Sequence, residues 1–167
     1  MHRTNANFRL LILMLCFTLT LSACGFRLAG TVDLPQQLSS IYLSDNGFNN
    51  SQRKTLQRRL TQAGATLAEQ AGTGAVKLSV NLKQLPTRQM ATAAGTGANV
   101  KRLTRQLDYS VKSADGQTIV PNTTLTQQRD ASLNDDILLS SDREEEAVAR
   151  ELENALFDQM IRQLTLI

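Results

Sequence analysis

From Val76 to Lys83 the chain alternates without a break: Val76, Leu78, Val80 and Leu82 against Lys77, Ser79, Asn81 and Lys83. A period of two buries one face of a β-strand and wets the other, so this segment predicts a half-buried antiparallel strand. Pro86 ends or bends it. A second strand is predicted over 100–112, with Leu103, Leu107, Tyr109 and Val111 on one parity. Asp115-Gly116 is a tight-turn signal, and 117–129 supply the partner strand. Pro121 interrupts that partner; a proline cannot donate to a ladder, so the strand is expected at an edge or bulged there. A shorter β-prone run at 40–44 precedes the turn signal Asp45-Asn46-Gly47.

Two segments follow the helical period instead. Leu56, Leu60, Ala63 and Leu67 recur at spacings of three and four, with Arg53, Lys54, Gln57, Arg58 and Arg59 on the other face. They predict a helix over 51–63, capped by Asn50 or Ser51 and ended by Gly64. Val148, Leu152, Ala155, Leu156, Phe157 or Met160, Ile161 and Leu164 form a stripe to the C-terminus, and Asp142 with Glu145 reads as its capping box. Residues 87–99, rich in Ala, Thr and Gly, read as a hairpin connection, and 130–141 as a loop. Strands grouped between helices predict an α+β fold: a mixed, mostly antiparallel sheet of about four strands with two helices packed on one face. Leu60, Val80, Leu107 and Leu152 are expected in one core.

The first 23 residues stand apart. Arg3 and Arg9 precede the apolar run of residues 10–19, which is too short to span a bilayer and tails into Thr20 and Ser22. This is the form of a secretory leader; the competing reading is a short retained anchor. The run closes on Leu21-Ser22-Ala23-Cys24, which resembles the bacterial lipobox. That resemblance implies acylation of the Cys24 thiol and cleavage before it; the alternative is ordinary secretory cleavage that leaves a free thiol. Gly25 stands where an inner-membrane retention signal would place Asp, which favours the outer membrane. Acyl chains contribute about 0.8 kcal/mol per buried CH₂, so two or more anchor stably. The expected organisation is a leader at 1–23, a lipidated tether at 24–39 and one domain at 40–167, held on the periplasmic side of the outer membrane.

Composition then removes several chemistries. Downstream of the leader there is no histidine and no cysteine besides Cys24. His-based triads, intramolecular disulfides and multi-Cys metal sites are excluded there, and no cofactor is expected. Asp135-Asp136 lack further spaced ligands, and Gly95-Thr96-Gly97 lack a strand-to-helix frame for phosphate. Glu144, Glu145 and Glu146 point in different directions from one helix. Ser, Thr, Asn and Gln make up about a third of the mature residues, so the surface is rich in uncharged polar groups. A mature net charge of +1 gives no case for nucleic acid. The charge is unevenly spread: residues 24–113 carry +8 and 114–167 carry −7. Either the two halves attract each other, or the basic half faces an anionic partner.

Cys24-Gly25-Phe26-Arg27-Leu28 is similar to the mature start of the lipopolysaccharide-assembly lipoproteins of the LptE family, and the order of strand, basic helix, strand meander and late helix also resembles it. The resemblance implies a non-enzymatic protein that pairs with a large outer-membrane β-barrel, the lipopolysaccharide translocon. It would plug the lumen of that barrel, assist its assembly and contact lipopolysaccharide. The rivals are another envelope-assembly lipoprotein with a different partner and a hydrolase using Ser and Lys.

A lipid with several phosphates suits the basic strands. Lys77 and Lys83 share one strand face, and Arg102 and Lys112 share parity on the next strand. Arg88 sits near the hairpin tip. Arg105, like Lys101, shares parity with the apolar Leu103 and Leu107; it joins the set through a bulge near 104–106 or by lying beyond the covered core. The candidate lipid-binding residues are therefore Lys77, Lys83, Arg88, Arg102 and Arg105, the arginines favoured because a guanidinium binds phosphate bidentately.

Overall fold

A computed structural model of the chain describes residues 33–72, 74–92, 98–134 and 138–167. Its elements are β1 (Ser40–Asn46), α1 (Asn50–Gln62), β2 (Thr66–Leu67), β3 (Val76–Gln84), β4 (Arg88–Thr92), β5 (Ala98–Lys112), β6 (Thr118–Asn134) and α2 (Leu138–Leu164). The strands form one six-stranded sheet in the order β2-β1-β3-β5-β4, with β6 paired to β5. β1 runs parallel to β2 and β3, and every pairing of β5 is antiparallel. A parallel β1–β3 pair needs a crossover of a dozen or more residues, which α1 supplies. Both helices contribute to one core on one face of the sheet, as α+β patterning predicts.

Helix α1 begins at a reciprocal capping box one residue before the expected cap. Asn49 Oδ1 accepts from the Gln52 amide at 2.9 Å, and Gln52 Oε1 accepts from the Asn49 amide at 2.8 Å. The turn before it is pressed against β3: a Cβ on Gly47 (φ +74) would lie 2.2 Å from the Leu82 carbonyl oxygen, so no side chain fits. Leu56 and Leu60 of α1 meet Ile41, the β3 row Val76, Leu78, Val80 and Leu82, and Leu107, Tyr109 and Val111 of β5. Helix α2 closes this core with Leu156, Phe157, Met160, Ile161 and Leu164. Phe157 stacks on Phe48 with centroids 5.7 Å apart. Leu38, in a 3-10 turn at Gln36–Leu38, packs into the same core.

Four expectations change. The sheet has six strands because Thr66–Leu67 pairs with β1 as β2 and a segment read as a loop forms β4; a second such segment lengthens β6. Residues 88–92 form β4 by pairing with β5, and β6 runs on to Asn134 against the start of β5. Both strands owe their conformation to a partner rather than to apolar alternation. Helix α2 begins at Leu138, so Asp142 lies inside it and is no cap; nothing between Leu138 and Asp142 breaks a helix. Leu152 leaves the main core and joins a second cluster with Leu103 and Ala131. The bulge near 104–106 is absent: β5 keeps register with β6 from Ala98 to Tyr109 and with β3 from Arg105 to Lys112. The irregularity lies opposite Pro121 instead, on a strand paired to β5 alone among the described residues, which meets both expectations for that proline.

Candidate functional site

The side of the sheet away from the helices is polar because β1, β5 and β6 put their even-numbered residues there and β3 its odd-numbered ones. Register aligns them in rows: Tyr42, Lys77 and Lys112; then Ser44, Ser79 and Ser110; then Asn46, Asn81 and Asp108. Lys83 and Gln106 follow, and at the far end Arg88, Arg102 and Asp130. Lys77, Lys83 and Arg102 thus share one face, as expected, and Arg88, expected near a hairpin tip, joins them from β4. Arg105 does not. It lies on the helix side, 5% exposed, with its Nε 3.4 Å from Glu153 Oε1 of α2. An odd-numbered residue in an unbulged β5 can point nowhere else. Cys24 lies outside the described residues.

The arginine end contains a cavity of about 520 Å³ lined by Leu85, Pro86, Arg88, Met90, Arg102 and Thr104, with Gln128 from β6. Pro86 creates it. β3 and β4 lie along the same edge of β5, and the proline, lacking an N–H, separates them; the Leu85 amide bridges to the Thr104 carbonyl at 3.2 Å. Leu85, Pro86 and the half-exposed Met90 supply apolar surface beside two guanidinium groups. Arg102 donates to both oxygens of Asp130, at 2.6 and 2.8 Å. That pairing holds the Asp130 carboxyl below the ordinary carboxylate range. Arg88 is exposed directly across from Arg102, and like charges so placed repel unless an anion joins them. The arrangement suits an amphiphile: chain on the apolar wall, phosphate on the arginines. The sequence marks Arg88 and Arg102, but Leu85 and Met90 join them only through the break at Pro86, which was its one visible signal.

Several other charges are paired within the fold. Arg59 pairs with Asp158 and Arg105 with Glu153, both linking the basic half of the chain to the acidic helix α2. Arg102–Asp130 also joins the two halves, so mutual attraction accounts for much of the uneven charge. Lys83 Nζ lies 2.7 Å from Asp108 Oδ2, while Thr124 and Gln106 donate to Oδ1. The bond from Lys83 is the main reason the Asp108 carboxyl titrates below its ordinary value; partial burial opposes it, and Thr124 and Gln106 add to the lowering. A depressed carboxyl contributes stability above its unfolded pKa of about 3.9, lost as pH falls through the folded value. Asp108→Asn should therefore lower the melting temperature slightly at pH 7, with the difference vanishing in stronger acid. A constant difference from pH 7 to pH 2 would contradict this. Among the described residues no group of His, Cys, Asp and Glu could hold a metal ion, and no helix is long and apolar enough to cross a membrane.

No curated protein sequence matches the chain. Solved structures do. A minor lipoprotein from Acinetobacter baumannii is similar with a TM-score of 0.61 at 18% identity, covering 77% of this chain and 94% of that one. Lipoprotein B from Nitrosomonas europaea gives 0.64 at 16%, covering 84% and 90%. Rare lipoprotein B from Shewanella oneidensis gives 0.62 at 13%, covering 75% and 92%. At such identities the likeness is one of fold. The model of the LptE family, described as lipopolysaccharide-assembly, matches residues 38–164. That span starts at the buried Leu38 and ends with α2, taking in all six strands and both helices, and the chain belongs to the LptE lipopolysaccharide-assembly family.

Proposed function

We propose that the protein is a non-enzymatic outer-membrane lipoprotein that pairs with and plugs the lipopolysaccharide translocon β-barrel, assists its assembly and helps deliver lipopolysaccharide to the cell surface. The family match over 38–164 carries this reading. The polar sheet face supports it, because a barrel lumen is itself polar and wet. Residues 1–23 are removed, acyl chains on Cys24 hold the protein to the membrane, and residues 24–39 lead into the domain at 40–167.

Photo-crosslinking from the polar sheet face in intact cells tests the pairing. The expected product is a crosslink to a lipopolysaccharide-exporting barrel; a different envelope protein as the main product would overturn it. Mass spectrometry of the mature N-terminus should find an acylated Cys24, and Cys24→Ala should strand the precursor or release the domain. A free thiol at Cys24 would refute lipidation.

Lipid contact is assigned to the polar face, with Arg88 and Arg102 at its centre and Lys77 and Lys83 alongside. Arg88→Gln with Arg102→Gln should weaken binding to purified lipopolysaccharide about tenfold or more, as loss of charge-assisted bonds to phosphate implies, with little change in melting temperature. Unchanged binding would place the lipid elsewhere.

A further inference from the structure

At the opposite end of the polar face lies a second cavity, open and shallow, of about 260 Å³. Ser44, Asn46, Ser79, Asn81, Asp108 and Ser110 line it, drawn from β1, β3 and β5, and Asn122 of β6 walls one side. Register explains the concavity. Two adjacent rows across three strands hold only short side chains, while longer ones stand at either end: Tyr42, Lys77 and Lys112 on one, Lys83 and Gln106 on the other.

This composition is costly for a sheet. Asn and Asp are depleted in strands, yet Asn46, Asn81 and Asp108 stand side by side. Lys77 lies directly opposite Lys112, where like charges destabilise. Among the described residues neither lysine has an acidic partner. Nor does the side chain of Ser44, Ser79, Ser110, Asn46, Asn81 or Asn122 hydrogen-bond another described residue. Asp108, by contrast, is fixed by Lys83, Thr124 and Gln106. The trough therefore offers free donors and acceptors around one fixed carboxylate, with two uncompensated ammonium groups a single row away.

We propose that this trough is a saccharide site whose ligand is a sugar bearing an acidic substituent. Ring hydroxyls bond to the serines, asparagines and Asp108, and the acidic group lies between Lys77 and Lys112. The chemistry selects this class. The lining has no apolar wall for an acyl chain; its one aliphatic residue, Val80, turns its side chain into the core. A peptide would need apolar pockets or a free strand edge, and β3 and β5 are paired on both sides. The trough begins roughly 20 Å along β5 from Arg102, at about 3.3 Å per residue, and shares no lining residue with the arginine cavity. The lipopolysaccharide reading bears only on where such a sugar comes from.

Amide NMR of the full chain in nonionic detergent, titrated with four probes, tests the proposal. Glucose 6-phosphate, glucuronate or both should shift Ser79, Asn81 and Ser110, and which of them binds distinguishes a phosphate-bearing from a carboxylate-bearing sugar. Lys77→Gln with Lys112→Gln should weaken that binding tenfold or more, as should Ser79→Val with Ser110→Val, at nearly unchanged melting temperature. The proposal is overturned if neither sugar acid shifts these amides, or if glucose alone binds as well as they do. It is equally overturned if inorganic phosphate binds as well, since that leaves a bare anion patch. Barrel crosslinking is read separately, so either result can fail without the other.

Discussion

Phe157→Ala is expected to cost about 3–5 kcal/mol, because it removes a whole aromatic side chain from a site that cannot collapse around the loss. Phe157 is 1% exposed. It stacks on Phe48 and packs in the cluster that joins both helices to the sheet. At about 2–4 °C per kcal/mol for a domain near this size, the melting temperature should fall by roughly 6–20 °C. Leu107→Ala, in the same cluster, should cost about 2–5 kcal/mol. Leu152→Ala should lie at the low end of that range, because its cluster holds only Leu103, Ala131 and the half-buried Val148 and can relax. Equal losses at Leu107 and Leu152 would mean that the two clusters are one. No loss at Phe157 would refute the packing of α2.

These contrasts show which parts of the fold local pattern reveals. The alternation at 76–83 and the stripes of α1 and α2 are written by burial itself, so they are legible one segment at a time. β4 and the end of β6 are written by pairing: Arg88–Thr92 has no apolar rhythm and becomes a strand because β5 continues past Pro86. The division of the core at Leu152 was hidden for the same reason, since a helical stripe shows which face is buried but not against what. On the polar face, parity alone placed Lys77, Lys83 and Arg102 together. Their different situations came from residues distant in sequence: Asp108 beside Lys83, and Asp130 beside Arg102. The trough needed β1 beside β3, a parallel pairing that no local signal predicts.

Arg105 separates a structural from a lipid-contacting role most sharply. Its guanidinium and the Glu153 carboxylate are both nearly buried, between the main core and the smaller cluster around Leu103. The Nε–Oε1 distance is 3.4 Å, and Nη1 reaches the Thr104 carbonyl at the same distance. Two long bonds give modest attraction, yet removing either partner strands an opposite charge away from water. Arg105→Met should therefore cost about 3–5 kcal/mol, and Glu153→Gln somewhat less, because an amide oxygen can still accept. The double variant Arg105→Met with Glu153→Leu should recover much of the loss, since an apolar pair of similar volume avoids burying either charge. A double-mutant cycle read by denaturant unfolding would then show strong coupling. If Arg105 instead reached out to lipid, its removal would weaken lipopolysaccharide binding, leave the melting temperature alone and show no coupling to Glu153. That outcome would overturn the inward placement of Arg105 and with it the unbroken register of β5.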